Sequence, residues 1–315
     1  METSRTRRRV LIVIAAVAVL GVAFYLHFFL FRSMGSGPAG PPVPLAPFES
    51  VWTDRPVLLL GLGDSVTAGY GASEGKSYVA RLVKNPEDEF EDMAGRNLAR
   101  VFPNLTVRNP SVSGSTSLDH VRDQIPEIEV QPEETLGIVV LTTGGNDLIH
   151  MYGRTPSREG AMYGATLEEA EPWIANFAAR LDGMIEDIAA KFPGGCQIFL
   201  ANIYDPSDGV GTFAPVGLPE WPDGLAIHAK YNDIIARCAE QYDFVHLVDM
   251  HREFLGHGLF CRQFWREHYD AGDPHYWYFT NLEDPNDRGY DAIRRLMLNA
   301  MAGVFAGEAA PTRAG

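Results

Sequence analysis

The sequence predicts an α/β protein built on a doubly wound, parallel β-sheet, and three observations support this. Short apolar segments alternate with helical segments over the last 250 or so residues, as such a sheet requires. Three of the apolar segments end in glycine-containing turns, the usual signal of strand termination. One long segment carries apolar residues three and four positions apart, which is typical of a helix packed on a sheet.

The elements follow in a regular order. Strands are predicted at residues 57–60, 105–108, 138–141, 197–201 and 244–248. Helices are predicted at residues 78–83, 87–101, 167–191, 225–241 and 291–304. Two longer stretches between them, 204–224 and 260–284, are rich in aromatic residues, and we expect them to form walls or lids of a site.

The amino-terminal region predicts a membrane anchor. Residues 10–31 are almost purely apolar, which is long enough for a helix to cross a bilayer core of about 30 Å. Four arginines lie in the flank at residues 1–9, so the amino terminus is expected in the cytoplasm and the rest outside it. A cleaved signal peptide is the alternative, but its apolar region is usually shorter and ends at a small-residue site.

Composition defines the remaining parts of the chain. Residues 32–50 are rich in proline and glycine and are expected to form an extended linker, followed by one catalytic domain at 51–305 and a flexible tail at 306–315. The first 32 residues carry a net charge of +4, so the other 283 carry −19. This acidity argues against nucleic acid as a partner. The odd number of cysteines, three, leaves disulfide pairing open.

The segment that carries the most chemical information is Gly63-Asp64-Ser65, at the end of the first strand. A serine where a buried strand gives way to a turn is held rigidly and open to solvent, as a nucleophile must be. The alternative is that Asp64 or Ser65 only caps the following helix.

Two later segments favour the catalytic interpretation. Gly114 follows the second strand, and Gly144-Gly145-Asn146-Asp147 follows the third. Carboxyl ends of parallel strands meet at one edge of the sheet, so these residues are expected to converge with Ser65. The N–H groups of Ser65 and Gly114 and the side chain of Asn146 are then donors for the oxyanion of ester cleavage.

Taken together, these segments resemble the first three sequence blocks of the GDSL or SGNH hydrolases, over roughly residues 55–302. The resemblance implies a flavodoxin-like three-layer α/β/α sandwich. It also implies that Ser65 is the nucleophile, with an oxyanion hole formed by Ser65, Gly114 and Asn146.

The fourth block departs from the family pattern, which is Asp-x-x-His followed at once by Pro-Asn. Pro285-Asn286 is present, but Asp284 stands where the histidine is expected. An inserted stretch from 276 to 284 would make His275 the base and Asp273 its orienting acid. Other candidate bases are His257, His251 and His268; other candidate acids are Asp270, Glu283 and Asp284.

Other kinds of site do not fit the sequence. A dinucleotide-binding loop would need a third glycine at position 66, which is valine, and no Gly-Lys-Ser/Thr follows for a phosphate loop. Histidines and cysteines do not fall at zinc-binding spacings. No cofactor and no metal are therefore expected, since serine-based acyl transfer needs neither.

The sequence thus predicts a single-pass membrane serine esterase that cleaves carboxylic esters of a small molecule or a polysaccharide outside the cytoplasmic membrane. An O-acetylesterase acting on cell-surface polysaccharide is an alternative to a lipase or thioesterase. The irregular fourth block also leaves open a catalytically inactive binding domain on the same fold.

Overall fold

The computed structural model describes residues 2–308 of the 315-residue chain. Its centre is a five-stranded parallel sheet in the order β2-β1-β3-β4-β5. The strands are β1 (Val57–Leu62), β2 (Leu105–Arg108), β3 (Leu136–Thr142), β4 (Cys196–Ala201) and β5 (Val245–Val248). This order is that of the flavodoxin-like sheet, so the fold predicted from the sequence is confirmed.

Helices connect the strands and surround the sheet. The α-helices are α1 (Glu2–Tyr25), α2 (Ser65–Ala68), α3 (Tyr78–Val83), α4 (Leu98–Val101), α5 (Ser117–Asp119), α6 (Gly145–Ile149), α7 (Leu167–Ala189), α8 (Gly224–Gln241), α9 (Met250–Phe254) and α10 (Asp287–Glu308).

The apolar residues of the strands alternate between two cores, one on each face of the sheet. In β1, Val57 and Leu59 pack on the side of α3 and α10, whereas Leu58, Leu60 and Leu62 pack on the side of α7 and α8. Successive side chains of a strand point to opposite faces, so a strand that is apolar throughout requires a layer of helices on each side. The result is the three-layer sandwich.

Some predicted boundaries need correction. The helix predicted at 87–101 is reduced to a short 3₁₀ turn, Glu91–Met93, and α4. The last helix begins four residues earlier than predicted, at Asp287. Local pattern defines the centre of an element better than its ends, because the ends depend on caps and tertiary contacts.

The segment predicted as a free linker is extended, but it packs against the domain. Ala39, Val43 and Phe48 are buried, and the Ala39 N–H donates to the Asp291 carboxylate of α10 at 3.1 Å. A side chain at Gly40 would collide with Ala292 of the same helix. This segment is therefore packed on the domain and is not a free linker.

The amino-terminal helix stands apart from these cores. Residues Thr6–Leu30 form a helix of 25 residues with a mean hydropathy of 2.6, long and apolar enough to cross a membrane or to serve as a signal sequence. At the other end, most of the predicted tail, residues 309–315, lies outside the described residues. Cys196, Cys238 and Cys261 are all described, buried and unpaired.

Candidate active site

The candidate site lies where the strand order reverses, between β1 and β3. From β1 the chain crosses to β2 on one side and then to β3 on the other, so the carboxyl ends of β1 and β3 are neighbours, with Leu62 paired to Leu141. Open α/β sheets form their binding crevices at this point. Ser65 follows β1 and Asn146 follows β3, and both line one cavity.

Ser65 is the first residue of α2 and is held by its neighbours. Asp64 caps the helix by accepting from the Val66 N–H at 3.1 Å and from the Thr142 hydroxyl at 2.8 Å. Gly63 has a φ of +128° and lies so close to Thr142 that a side chain there would collide with its carbonyl oxygen. The cap expected as an alternative role thus belongs to Asp64, and it leaves the Ser65 hydroxyl free for chemistry.

The Gly114 loop is fastened to the same turn. Val112 N–H and the Gln124 amide both donate to the Gly63 carbonyl, at 3.1 and 2.8 Å. Gly114 itself is exposed, with a φ of +82°, and its N–H has no hydrogen-bond acceptor among residues 2–308. Gly114 is not among the residues that line the cavity, but it lies on a loop held directly beside Gly63.

Asn146 is positioned in the first turn of α6. Its side-chain amide donates one hydrogen bond to the Ser115 carbonyl at 2.8 Å. A carboxamide nitrogen has two donors, so the second N–H remains for a ligand. Asp147, the next residue, is fully buried and accepts from the Ser117 N–H at 2.8 Å, which ties the Gly114 loop to α6.

Asp284 is the residue that meets Ser65. Its carboxyl is buried and lies near the Ser65 hydroxyl, which acts to lower its pKa. Burial raises the pKa of Asp284, and the contacts with Ser65 and Asn281 only partly lower it again. Asp284 Oδ1 has no hydrogen-bond partner of normal geometry among residues 2–308. Such loose contacts are common between catalytic groups before substrate binds.

Asn281 orients this carboxyl. Its amide donates to Asp284 Oδ2 at 2.6 Å, and its side-chain oxygen accepts from the Asp284 N–H at 3.2 Å. In the family pattern Asp-x-x-His, Asn281 stands where the aspartate is expected and Asp284 where the histidine is. An Asn-Asp pair thus occupies the place of the Asp-His pair. Asn281 was not predicted as a site residue, because the family pattern has an aspartate at its position.

Two further carboxyl groups lie near Asp284. Burial and the charge of Asp284 raise the pKa of Glu283, which lines the cavity, to about 7. Burial raises the pKa of Asp64 to about 6, although its hydrogen bonds to Thr142 and Val66 act in the opposite direction. Carboxyl groups so close together oppose one another's ionisation, which adds to the effect of burial on their pKa values.

The structure does not bring His275 and Asp273 to Ser65. The His275 ring binds the Asp273 carboxylate and lies against Gly35, and Arg288 binds Asp273 at 2.7 Å. His275 is four residues before Phe279, whose N–H donates to the Asp284 carbonyl. In an extended strand this is about 13 Å, at roughly 3.3 Å per residue. The predicted inserted stretch is a hairpin arm that carries His275 away from the nucleophile.

The other candidate histidines also lie elsewhere. His257 stacks on Trp277 with ring centroids 3.5 Å apart, and burial lowers its pKa. His251 packs against His228, and His268 lies beside Gly209. His228 is the histidine among residues 2–308 that lines the cavity. Its Nε2 is hydrogen-bonded to the Ile203 carbonyl at 2.8 Å, so this nitrogen already has a partner.

His120, which was not predicted from the sequence, stabilises the loops that form the site. His120 is buried between the Ser115 hydroxyl, 2.9 Å from Nε2, and the Thr143 hydroxyl, 3.0 Å from Nδ1. Burial lowers its pKa to about 4, so the ring is neutral at physiological pH. It joins the Gly114 loop to the end of β3. A lone histidine without a motif gave no signal of this role.

The cavity above Ser65 is mainly apolar. Its cavity volume is about 100 Å³, and it opens to solvent. Its apolar walls include Leu148, Ile149, Phe213, Leu218, Trp221 and Leu225. Its polar lining residues include Ser65, Asn146 and Glu283. This arrangement suits a ligand with a reactive polar end and a hydrocarbon body.

Residues 62–292 match the family model of the GDSL-like lipase/acylhydrolase family. A search of curated proteins finds no significant match.

Solved structures resemble the fold. The extracellular lipase of Streptomyces rimosus is similar with a TM-score of 0.52 and 19% identity, over 78% of this chain and 99% of the lipase. A single-residue variant of the acetyl xylan esterase of Geobacillus stearothermophilus gives a TM-score of 0.51 and 18% identity, over 81% of this chain and 98% of the esterase.

Proposed function

We propose that this chain, which belongs to the GDSL-like lipase/acylhydrolase family and is a carboxylic ester hydrolase, forms an acyl-enzyme at Ser65. In this proposal Asp284 replaces histidine as the base. The observation that carries the proposal is the position of the buried Asp284 carboxyl near Ser65 at the reversal point of the sheet, with its Oδ1 lacking a hydrogen-bond partner among the described residues.

In the first step Ser65 Oγ attacks the ester carbonyl carbon, and its proton passes to Asp284 Oδ1. An ordinary aspartate is a weak base at neutral pH. Burial raises the pKa of Asp284, and a base works best when its pKa approaches the working pH. Asn281 donates to Oδ2, whereas Oδ1 has no hydrogen-bond partner among the described residues, so we assign the serine proton to Oδ1.

The tetrahedral oxyanion then needs donors that are already in place. Ser65 N–H is available because the first N–H groups of a helix have no partner within it. The free N–H of Asn146 and the unpaired N–H of Gly114 complete the set. Donors fixed before the reaction stabilise developing charge without reorganising.

The remaining steps reuse the same groups. When the tetrahedral intermediate collapses, the bond to the alcohol oxygen breaks and the alcohol takes the proton from Asp284. Water next attacks the acyl carbon while Asp284 accepts its proton. The second intermediate releases the carboxylic acid, and Ser65 recovers its proton.

The cavity supports an acyl chain longer than acetyl. A two-carbon group would leave most of the apolar wall, whose residues include Leu148 and Leu225, without contact. A buried methylene contributes about 0.8 kcal/mol, so a hydrocarbon chain is the better occupant. The alternative, an O-acetylesterase of cell-surface polysaccharide, is the activity class suggested by the acetyl xylan esterase similarity.

We place this activity outside the cytoplasmic membrane. The 25-residue apolar helix would be retained as an anchor, with its arginine-rich flank in the cytoplasm.

A catalytically inactive binding domain is the second candidate. One observation favours it: the family histidine is absent at position 284, and His228, His257 and His275 are bound to other partners. An apolar ligand would then occupy the same cavity without being cleaved.

A chain-length series of p-nitrophenyl esters, from acetate to laurate, separates these functions. The proposal predicts hydrolysis that increases from acetate toward medium chains, covalent labelling of Ser65 by a fluorophosphonate, and loss of both in Ser65→Ala. Preference for acetate would support the acetylesterase. Absence of turnover and labelling, with retained binding of fatty acid, would support the binding domain.

A further inference from the structure

Beside the end of α1, the domain carries a loop that fits a lipid surface. We propose that this interfacial loop, residues 259–266, inserts Phe264 and Trp265 into the bilayer interface and fixes the orientation of the catalytic domain. The inference rests on the proposed membrane anchor and adds a second membrane contact to it.

The first step is that the end of the apolar helix is fastened to the loop. Arg262 donates to the Phe31 carbonyl at 3.1 Å, and Arg32 donates to the Leu259 carbonyl at 2.9 Å. The Tyr276 N–H donates to the Ser33 carbonyl at 2.9 Å. With the following segment also packed on α10, no free spacer separates the membrane helix from the domain.

The second step is the depth of the aromatic pair. Trp265 packs against Phe24, Phe28 and Phe29, with ring centroids 5.8, 5.1 and 6.4 Å apart. The apolar span ends at Leu30, so Trp265 lies level with its last turn. If the span crosses the bilayer, this is the height of the interface, where tryptophan is enriched.

The third step concerns exposure. Phe264 is 62% exposed and Trp265 43% exposed, although both are large and apolar. They adjoin the exposed apolar surface of α1, where Phe24, which packs on Trp265, is 48% exposed. A contiguous apolar patch of this kind marks an interaction site.

Charge favours a bilayer as the occupant. Arg262 and Arg266 flank the aromatic pair, and Arg266 lies over the Phe260 ring at 5.1 Å. In a chain of net charge −15, these two arginines place positive groups beside the exposed aromatic rings, where they can bind lipid phosphate groups. The aromatic pair would contact the hydrocarbon of the bilayer, and the arginines on either side would contact its phosphate groups.

The loop is also connected to the cavity. The Leu259 N–H donates to the Pro206 carbonyl at 2.8 Å, and Pro206 lines the cavity. The Asp208 carboxylate accepts from the N–H groups of Gly258 and Phe260 at 2.7 and 2.8 Å. Insertion of the loop would therefore hold one wall of the cavity close to the membrane, where acyl esters of lipids are present.

The test uses the full chain reconstituted in phosphatidylcholine vesicles whose acyl chains are brominated near the glycerol. Bromine quenches tryptophan fluorescence only at close range. We expect strong quenching in the wild type, most of it lost in Trp265→Phe. The matched control, Trp173→Phe on α7, should keep it. Quenching that is unchanged in Trp265→Phe would overturn the proposal, because Trp265 would then lie in water or under protein.

A second arm connects the loop to turnover. In a variant with Phe264→Ser and Trp265→Ser, hydrolysis of an ester embedded in vesicles should fall about tenfold, the effect of about 1.4 kcal/mol of lost interaction. Hydrolysis of soluble p-nitrophenyl butyrate should not change. An equal effect on both substrates would contradict the interfacial role. If the wild type cleaves neither substrate, the proposed function fails, while the quenching result still decides the membrane contact.

Discussion

Replacing Asp284 by asparagine tests the assignment of the base with a minimal change of shape. The amide has nearly the size of the carboxyl and still offers an oxygen to the Asn281 donor, so the local fold should be kept. An amide cannot take the Ser65 proton. A general base contributes about 10²–10⁴ to rate, so kcat should fall by that factor, equivalent to roughly 2.7–5.4 kcal/mol.

The pH profile gives a second readout of the same variant. A base must be ionised, so wild-type kcat/KM should rise with pH through the pKa of Asp284, which burial places above the ordinary aspartate value. Activity is then lost toward acid pH as the carboxyl is protonated. In Asp284→Asn, the residual activity should lack this acid limb.

The assay is stopped-flow release of p-nitrophenol from a medium-chain ester, with thermal unfolding as a check of the fold. Asp273→Asn is the matched control, because it changes the same side chain where the structure gives no contact with Ser65. The reasoning is refuted if Asp284→Asn keeps wild-type activity, or if His275→Ala or Asp273→Asn abolishes it.

Three further predictions concern other parts of the molecule. Asn146→Ala should lower kcat by about 10²–10³ with little change in KM, because its free N–H serves the transition state; a change in KM alone would assign it to substrate binding. Leu218→Trp, which narrows the cavity, should reduce kcat/KM for laurate by about tenfold or more but spare acetate, and equal loss for both would contradict the acyl site. Phe48→Ala should cost about 3–5 kcal/mol of unfolding free energy, measured by urea denaturation, because Phe48 is fully buried; an unchanged midpoint would show that the segment is a free linker.

The parts of the site that were predictable from sequence are local ones. Ser65 and Asn146 each follow a strand within four residues, so strand prediction and parallel topology were enough to bring them to one edge. Gly63 indicated a turn in the sequence. The structure shows why glycine is required there, since the backbone conformation and the proximity of Thr142 exclude a side chain.

The fourth block was not predictable because a tertiary hairpin determines it. The bridge between Tyr278 and Pro285 and the hydrogen bond from Asn286 N–H to the Trp277 carbonyl set the register of this hairpin. That register places Asp284 near Ser65. It leaves His275 at the far end of the hairpin arm, away from Ser65. The expectation that a histidine must serve as base led the sequence analysis toward His275.

Average composition misled the interpretation of residues 32–50. Proline and glycine suggested a segment that cannot pack, but Ala39, Val43 and Phe48 are sufficient to bury it along α10. Proline keeps such a chain extended, which suits a strap across a surface as well as a spacer.

The most direct test of the account is rapid-quench mass spectrometry of the wild-type protein during turnover of a medium-chain ester. The account predicts an acyl adduct on the peptide that contains Ser65, formed more slowly as pH falls through the pKa of Asp284. Turnover without an adduct on Ser65, or an adduct on another residue, would contradict it.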